Sequence, residues 1–162
     1  MAQLKAKRTL LAPEPLLDDV RPDYADAFEV GIRDGDPRSA EQVFRDGLGA
    51  NPGALGFLVL WAHRHVLRFR LGPFASADHA IGWTILRSET DVVLLQADGP
   101  LMRGMLLLRR TDRRAVLTTY VFYRHRAARA VWSVVGHAHR AIAPRLMERS
   151  ARRGFGGECL RG

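Results

Sequence analysis

The sequence contains a single cysteine, Cys159, so the chain has no partner for an internal disulfide and no cysteine cluster for a metal site. It also lacks any run approaching the ~20 apolar residues that a membrane-spanning helix needs. Near the amino terminus, the apolar run Leu10–Ala12 is ended by Pro13 and is too short for a secretory signal. We therefore expect a protein of the reducing cytoplasm without a transmembrane segment.

Lysine is scarce as well, with only Lys5 and Lys7 among 25 basic residues, whereas arginine is abundant. The net charge of +8 raises the question of nucleic-acid or anionic-membrane binding. A GC-rich coding bias produces the same arginine excess, and the densest basic stretch, Arg109–Arg114, has no aromatic platform beside it. We favour ordinary solvated arginines, which makes nucleic acid an unfavoured partner and leaves an Arg-rich nucleic-acid or membrane-surface binder as an alternative.

The length of 162 residues and the apolar content of 47% suit one domain with one core. We expect an extended amino-terminal arm over residues 1–22, a single domain over 23–153 and a flexible tail over 154–162. No repeat of fixed period and no low-complexity segment divides the chain. The oligomeric state is left open.

The first half of the domain reads as one strand followed by two short helices. Tyr24–Val30 alternates between apolar and polar residues, which is typical of a strand. Asp36-Pro37 and Asn51-Pro52 are helix-start signals, in which a side chain caps free amides and proline takes the first helical position. Apolar residues follow each signal at helical spacing, and Gly72-Pro73 ends the second helix, which is expected to reach Phe69.

The second half changes to a period of two and then returns to a helix. Short polar links separate four predicted strands and require an antiparallel meander, because parallel neighbours need long crossovers. A long amphipathic helix, roughly Arg126–Arg149, follows and needs a sheet to lie against. Met102–Leu108 is apolar on both faces, which indicates a strand covered on both sides or facing an apolar interior. The four strands are Trp83–Arg87, Asp91–Ala97, Leu101–Arg109 and Ala115–Arg124.

This order of elements predicts an α+β fold, and five segments connect it to a known architecture. The segments are Asp23–Phe28, Leu67–Phe74, Ser88–Leu94, Thr118-Thr119 and His139–Leu146. In this order and spacing they resemble the SRPBCC, or START-like, helix-grip superfamily, and more narrowly a bacterial family known as domain of unknown function (DUF) family 2867. The resemblance covers most of the chain between the arm and the tail.

The resemblance implies a helix-grip fold with a cavity between the sheet and the carboxy-terminal helix. Relatives in the superfamily hold lipids, sterols, hormones or polyketide-like molecules there, so it implies a hydrophobic small-molecule ligand. It implies no reaction and no cofactor. Some members look fused to a short-chain reductase-like domain, but this chain has no Gly-x-Gly-x-x-Gly fingerprint after a strand, so such a reductase would be a separate partner.

Candidate site residues follow from the large side chains of the predicted elements. A solid core is the default for each of them, and the resemblance favours a cavity for some. We expect the following to line it: Phe57, Trp61, Trp83, Met105, Tyr120, Tyr123, Trp132, Val135 and His139.

His139 falls within the apolar arc of the last helix. It is either a neutral histidine satisfied by a backbone or neighbouring strand group, or a polar contact to a ligand. In the second case, His139 with Tyr120 or Tyr123 would transfer protons in an enzyme acting on a cyclic or polyketide-like substrate.

No catalytic motif supports an enzyme more directly. The chain has no Gly-x-Ser-x-Gly elbow, no His-Glu-x-x-His and no phosphate-binding loop. The carboxylates of the first strand and the turns, including Asp26, have no evident partner and read as solvated charges. The histidine pair His63 and His65 points to opposite sides of a helix, as does the pair His137 and His139, so we predict no metal site. We expect a binding protein rather than an enzyme.

Overall fold

The computed structural model describes residues 4–17, 19–48 and 53–156. Seven strands within these residues form one antiparallel sheet, and a long helix lies across one face, so the predicted α+β fold is confirmed. The strands are β1 (Lys7–Arg8), β2 (Tyr24–Gly31), β3 (His79–Ala80), β4 (Trp83–Ser88), β5 (Val92–Asp98), β6 (Met102–Arg110) and β7 (Arg114–Tyr123). The helices are α1 (Ala40–Leu48), α2 (Gly53–Trp61) and α3 (Ala127–Gly156), with a 3-10 turn over Pro15–Leu17 and a π-helical turn over Ala62–Val66.

The sheet runs in the order β1-β2-β7-β6-β5-β4-β3. The consecutive strands β4 to β7 form the predicted meander, and their bounds agree with the sequence pattern to within one residue. The first long strand, β2, pairs antiparallel with the last, β7, and thereby closes the amino-terminal half onto the meander. The edge strands β1 and β3 were not predicted, because two-residue strands have no measurable period.

Both faces of the sheet are apolar, as Met102–Leu108 indicated. Along β6, Leu106 and Leu108 belong to the main core under α3, whereas Met105 and Leu107 belong to a second cluster on the opposite face. We call these the inner face and the outer face of the sheet. Alternation along a strand explains the division, since successive side chains point to opposite sides.

The amino-terminal arm covers the outer face. Leu16 and Leu17 pack on the second cluster, and Arg109 on β6 donates two hydrogen bonds of 2.7 Å to the buried carboxylate of Glu14. The hydrogen bonds from Arg109 lower the pKa of Glu14 despite its burial. The arm is therefore part of the folded unit over residues 4–17.

Both short helices begin or end differently from the prediction. Ser39 caps α1 in a reciprocal pair with Gln42. The backbone N–H of Gln42 donates to the Ser39 hydroxyl at 3.2 Å, and the backbone N–H of Ser39 donates to Gln42 Oε1 at 2.8 Å, so Asp36 is not the cap. Asp36 instead pairs with Arg38 at 2.6 Å. The second start signal, Asn51-Pro52, lies outside the described residues. Its helix stops after the π-helical turn, before Arg68, whose φ of 56° is left-handed and incompatible with helix continuation to Phe69.

The last helix, α3, continues through Pro144 and beyond Arg149 to Gly156. It packs against α1, β2 and β7. Arg38 joins α1 to α3 by donating to Asp46 at 2.7 Å and to the Ser150 carbonyl at 3.1 Å. Residues 154–156 of the predicted tail are helical, and residues 157–162, with Cys159, lie outside the described part of the chain. Among the described helices, none has the length and apolar character needed to cross a bilayer.

Candidate functional site

A cavity of about 380 Å³ lies between the inner face of the sheet and α3. Its volume falls within the range of roughly 300–1,000 Å³ that small-molecule sites occupy. The strands supply the floor, α3 supplies the roof, and α1, α2 and the π-helical turn supply one wall. Most of the lining is apolar, including Val43, Leu58, Leu67, Phe69, Trp83, Leu106, Leu108, Leu117, Val121, Trp132, Val135, Ile142 and Met147.

One end of the cavity is aromatic because β6 carries a glycine there. A Cβ atom at Gly104 would lie 2.7 Å from the Trp83 ring and 3.1 Å from the Phe69 ring, so both rings rest directly on the backbone. The two rings meet edge to face with centroids 5.2 Å apart. Gly104 therefore positions the aromatic wall of the site.

His63 is the polar group at this aromatic end. The Trp83 Nε1–H donates to its Nδ1 at 3.3 Å, and the ring centroids of His63 and Trp83 lie 5.4 Å apart. Burial, with a smaller contribution from His139, lowers the pKa of His63 to about 4. The ring is therefore neutral at pH 7, and since Nδ1 accepts, Nε2 carries the proton and is a hydrogen-bond donor.

A second polar group joins α3 to the sheet. His139 Nε2 lies 3.3 Å from Oδ1 of Asp26 on β2, whose side chain is fully buried, and the Tyr24 hydroxyl donates to Asp26 Oδ2 at 2.6 Å. Burial favours the neutral acid, but the hydrogen bonds from His139 and Tyr24 outweigh it and lower the pKa of Asp26. Burial and the bond to Asp26 raise the pKa of Tyr24.

This arrangement sets the orientation of His139. The Asp26 carboxylate can only accept, so Nε2 of His139 carries a proton, and in the neutral ring Nδ1 then holds a free lone pair. Arg140 completes the chain by donating to the Tyr24 hydroxyl at 3.3 Å. The structure therefore shows the first interpretation of His139, a contact with a group on a neighbouring strand. The ring also lines the cavity.

Two buried polar atoms in the lining have no hydrogen-bond partner in the described structure: Thr119 Oγ1 on β7 and Trp132 Nε1 on α3. Leaving such a group unsatisfied costs about 1–3 kcal/mol. Gly136 keeps space open beside the indole, since a Cβ there would lie 3.3 Å from Trp132 Nε1.

The structure places four of the nine sequence candidates in the lining: Trp83, Trp132, Val135 and His139. Met105 and Tyr120 lie on the outer face, so the expectation that they line the cavity is wrong. Strand alternation is the reason, and it also separates Tyr120 from His139 by the thickness of the sheet.

The other three candidates lie near the cavity but do not line it. Phe57 and Trp61 are exposed on α2, and Tyr123 packs against the main core beyond the lining. The tyrosine in the hydrogen-bonded chain of His139 is Tyr24 rather than Tyr120 or Tyr123.

Sequence reasoning missed Asp26, Thr119 and His63 as site residues. Asp26 was interpreted as a solvated charge, although it alternates in phase with Tyr24 and Phe28 on the inward side of the predicted strand. That phase is the signal that could have identified it. His63 gave no signal, because its role depends on Trp83, which lies in a different element. Among the described residues, no three His, Cys, Asp or Glu side chains come together as a group able to hold a metal ion.

The fold and the cavity together define an α+β protein with an apolar internal site under its last helix. Comparisons with protein-family models, with curated proteins and with solved structures each found no match. The sheet with its carboxy-terminal helix is compatible with a helix-grip architecture, and the resemblance to the START-like superfamily and to DUF family 2867 stays a prediction from the sequence.

Proposed function

We propose that this protein binds an apolar small molecule in the cavity between the sheet and α3. The observation that carries the proposal is the unfilled volume of about 380 Å³ with its largely apolar lining. Protein cores pack as densely as organic crystals, so an apolar cavity of this size beneath α3 is space that the chain's own side chains do not fill. The resemblance to helix-grip proteins points to the same class of ligand.

The polar atoms of the lining favour a ligand that carries an oxygen atom. Trp132 Nε1 and His63 Nε2 are donors, and Thr119 Oγ1 donates or accepts. An apolar molecule with a carbonyl or hydroxyl oxygen satisfies this set, whereas a pure hydrocarbon leaves the donors unpaired. A cytoplasmic location and a separate reductase partner would fit such a carrier, and both rest on the sequence alone.

Native mass spectrometry after purification, with solvent extraction of the same sample, tests the proposal. We expect a co-purified organic molecule and displacement of the fluorescent probe 1-anilinonaphthalene-8-sulfonate by it. Val135→Trp fills the cavity from α3 and should abolish probe binding. Val131→Trp is the matched control, because Val131 is also a half-buried valine of α3 but does not line the cavity.

Two results would contradict ligand binding. One is a protein that carries no organic molecule and binds no apolar probe. The other is equal probe binding by wild type and by a folded Val135→Trp variant, which would place the probe elsewhere on the surface.

A second candidate function is supported by the contact between His139 and Asp26. A buried carboxylate that orients a histidine, whose other nitrogen is free, is the arrangement of a general base. In an apolar cavity with the Trp132 N–H donor nearby, it could remove a proton next to a ligand carbonyl and return it elsewhere. Such an isomerisation of a cyclic or polyketide-like substrate needs no cofactor.

Deuterium incorporation tests this second function. A panel of apolar cyclic ketones in D2O, followed by mass spectrometry, should show enzyme-dependent exchange at carbons next to the carbonyl. His139→Gln should lower the exchange rate by at least about 100-fold, the lower end of typical contributions from a general base, while probe binding is retained. Exchange that is equal in wild type and His139→Gln would exclude the histidine as the base.

A further inference from the structure

An exposed apolar patch surrounds the opening of the cavity. Phe57, Leu58 and Trp61 on α2 are 69%, 52% and 48% exposed, and Val134 on α3 is 73% exposed. Leu58 and Val134 also line the cavity, so it opens to solvent between α2 and α3. We call these four residues the mouth patch. Large exposed apolar side chains grouped in this way mark a surface that contacts another protein, a membrane or a ligand.

The helix that carries most of the mouth patch has no polar side chain. Every residue of α2, Gly53–Trp61, is apolar, and a helix that is apolar all round is normally buried. Here α2 has its main contacts with the π-helical turn that follows it and leaves three large side chains outside. Among the described residues, no element covers these three side chains of α2.

The two chain segments that form the mouth patch contain arginines and no acidic residue. No Asp or Glu occurs between Gly47 and Ala77, the segment that contains α2, or between Arg113 and Met147, the segment that contains most of α3. In the first segment Arg64 and Arg68 are exposed and form no ion pair among the described residues. Both segments contribute directly to the opening of the cavity.

From this combination we propose that the mouth patch docks on the surface of an anionic lipid bilayer. Phe57 and Trp61 enter the interface between headgroups and acyl chains, and Arg64 and Arg68 contact the lipid phosphates. Since no described helix can cross a bilayer, the contact is peripheral. The cavity then opens toward the membrane, where an apolar ligand is dissolved.

Charge argues against two other occupants. A second copy of this chain docked patch to patch would bring together the same two arginine-bearing segments, which contain no carboxylate of their own and repel each other. A nucleic acid would meet the arginines, but its phosphates would leave the apolar centre of the patch uncovered. Only the lipid surface matches both the apolar centre and the positive surroundings. Membrane docking does not require that the cavity be occupied.

Flotation with lipid vesicles tests the proposal on the full chain. We expect binding to vesicles of equal parts phosphatidylglycerol and phosphatidylcholine at low salt, and little binding to phosphatidylcholine alone or at high salt. The double variant Phe57→Ser with Trp61→Ser should lower binding by about tenfold or more. Leu86→Ser is the matched control, since Leu86 is 50% exposed on β4, away from the opening.

Trp61 provides a direct readout of insertion. The other two tryptophans, Trp83 and Trp132, are buried, so quenching by lipids with brominated acyl chains reports on Trp61. We expect quenching in anionic vesicles and retention of binding by Val135→Trp, which blocks the cavity but leaves the patch intact. Ligand binding and membrane docking can therefore fail independently.

Three outcomes would overturn the proposal. The first is absence of binding to anionic vesicles, and the second is an equal loss in Leu86→Ser and in the folded double variant. The third is a monomer–dimer equilibrium that the double variant abolishes while vesicle binding stays unchanged, since that result assigns the patch to a second copy. Circular dichroism and thermal melting establish that each variant is folded.

Discussion

The two faces of the sheet are covered in different ways, and only one encloses a cavity. On the outer face, Leu16 and Leu17 of the arm pack directly on Leu107 and its neighbours. On the inner face, α3 packs over β2 and β7, and the space over β6 is left open to Leu106 and Leu108. The comparison teaches that apolar alternation shows that a strand face is covered, but not that the cover fills the space above it.

The largest expected effect is a difference in the free energy of unfolding between alanine variants of two adjacent leucines of β6. Leu107→Ala on the packed outer face should cost about 3–4 kcal/mol, and Leu106→Ala on the cavity face about 1–2 kcal/mol, because fewer contacts are lost beside an existing void. Urea unfolding of both variants measures the difference. Equal costs for the two substitutions would mean that the cavity is closed in solution.

The next effect is a pH dependence of stability caused by His63 in the cavity on the inner face. The pKa of His63 is lowered to about 4 in the folded protein, so between its ordinary value near 6.5 and 4 the unfolded chain binds more protons. Stability should therefore fall as pH falls through this window, by up to about 3 kcal/mol. Urea unfolding at several pH values should show the loss in wild type and its absence in His63→Gln, which keeps an acceptor for Trp83.

A smaller effect concerns the outer face and its ion pair. Glu14→Gln weakens the two hydrogen bonds from Arg109 that hold the arm on the sheet, and should cost about 1–2 kcal/mol at pH 7. The pKa of Glu14 is lowered, so its contribution is present above its ordinary pKa and is lost as pH falls below it. Hydrogen exchange should show faster exchange in the arm. Unchanged exchange there would mean that Leu16 and Leu17 hold the arm without the ion pair.

The smallest expected effect on stability comes from the orphaned hydroxyl. Thr119→Val replaces a buried, unsatisfied hydroxyl by a methyl group of the same shape, so stability should be unchanged or raised by less than about 1 kcal/mol. Binding of an oxygen-bearing ligand should weaken severalfold, as measured by calorimetry. Thr118→Val on the outer face is the control and should leave affinity unchanged. A ligand that binds Thr119→Val as tightly as wild type does not contact this hydroxyl.

Much of the fold was predictable, because its signals are local. The bounds of β2 and of the four meander strands follow from the alternation of a few neighbouring residues, and the position of α3 follows from its apolar arc. The bounds of the shorter elements were less accurate. The end of α2 depends on the left-handed backbone of Arg68, and the start of α1 depends on the choice between Asp36 and Ser39 as its cap.

The candidate site was only partly predictable, since its polar contacts join distant parts of the chain. Asp26 and His139 are 113 positions apart, and the sequence around either residue does not indicate that the two are in contact. Met105 and Tyr120 were assigned to the cavity because size and apolarity do not tell which side of a covered sheet a residue faces. Trp83 and Trp132 line the cavity because β4 and α3 present their side chains to the same space.

By itself, the sequence determined the period of each element, and with it the class of the fold and the existence of two apolar sheet faces. Only the tertiary structure decided which face was sealed by the arm and which was left partly empty beneath α3. The reason is physical: periodicity depends on neighbours a few residues apart, whereas a void depends on how far two distant elements stand from each other. That separation is set by packing across the whole domain.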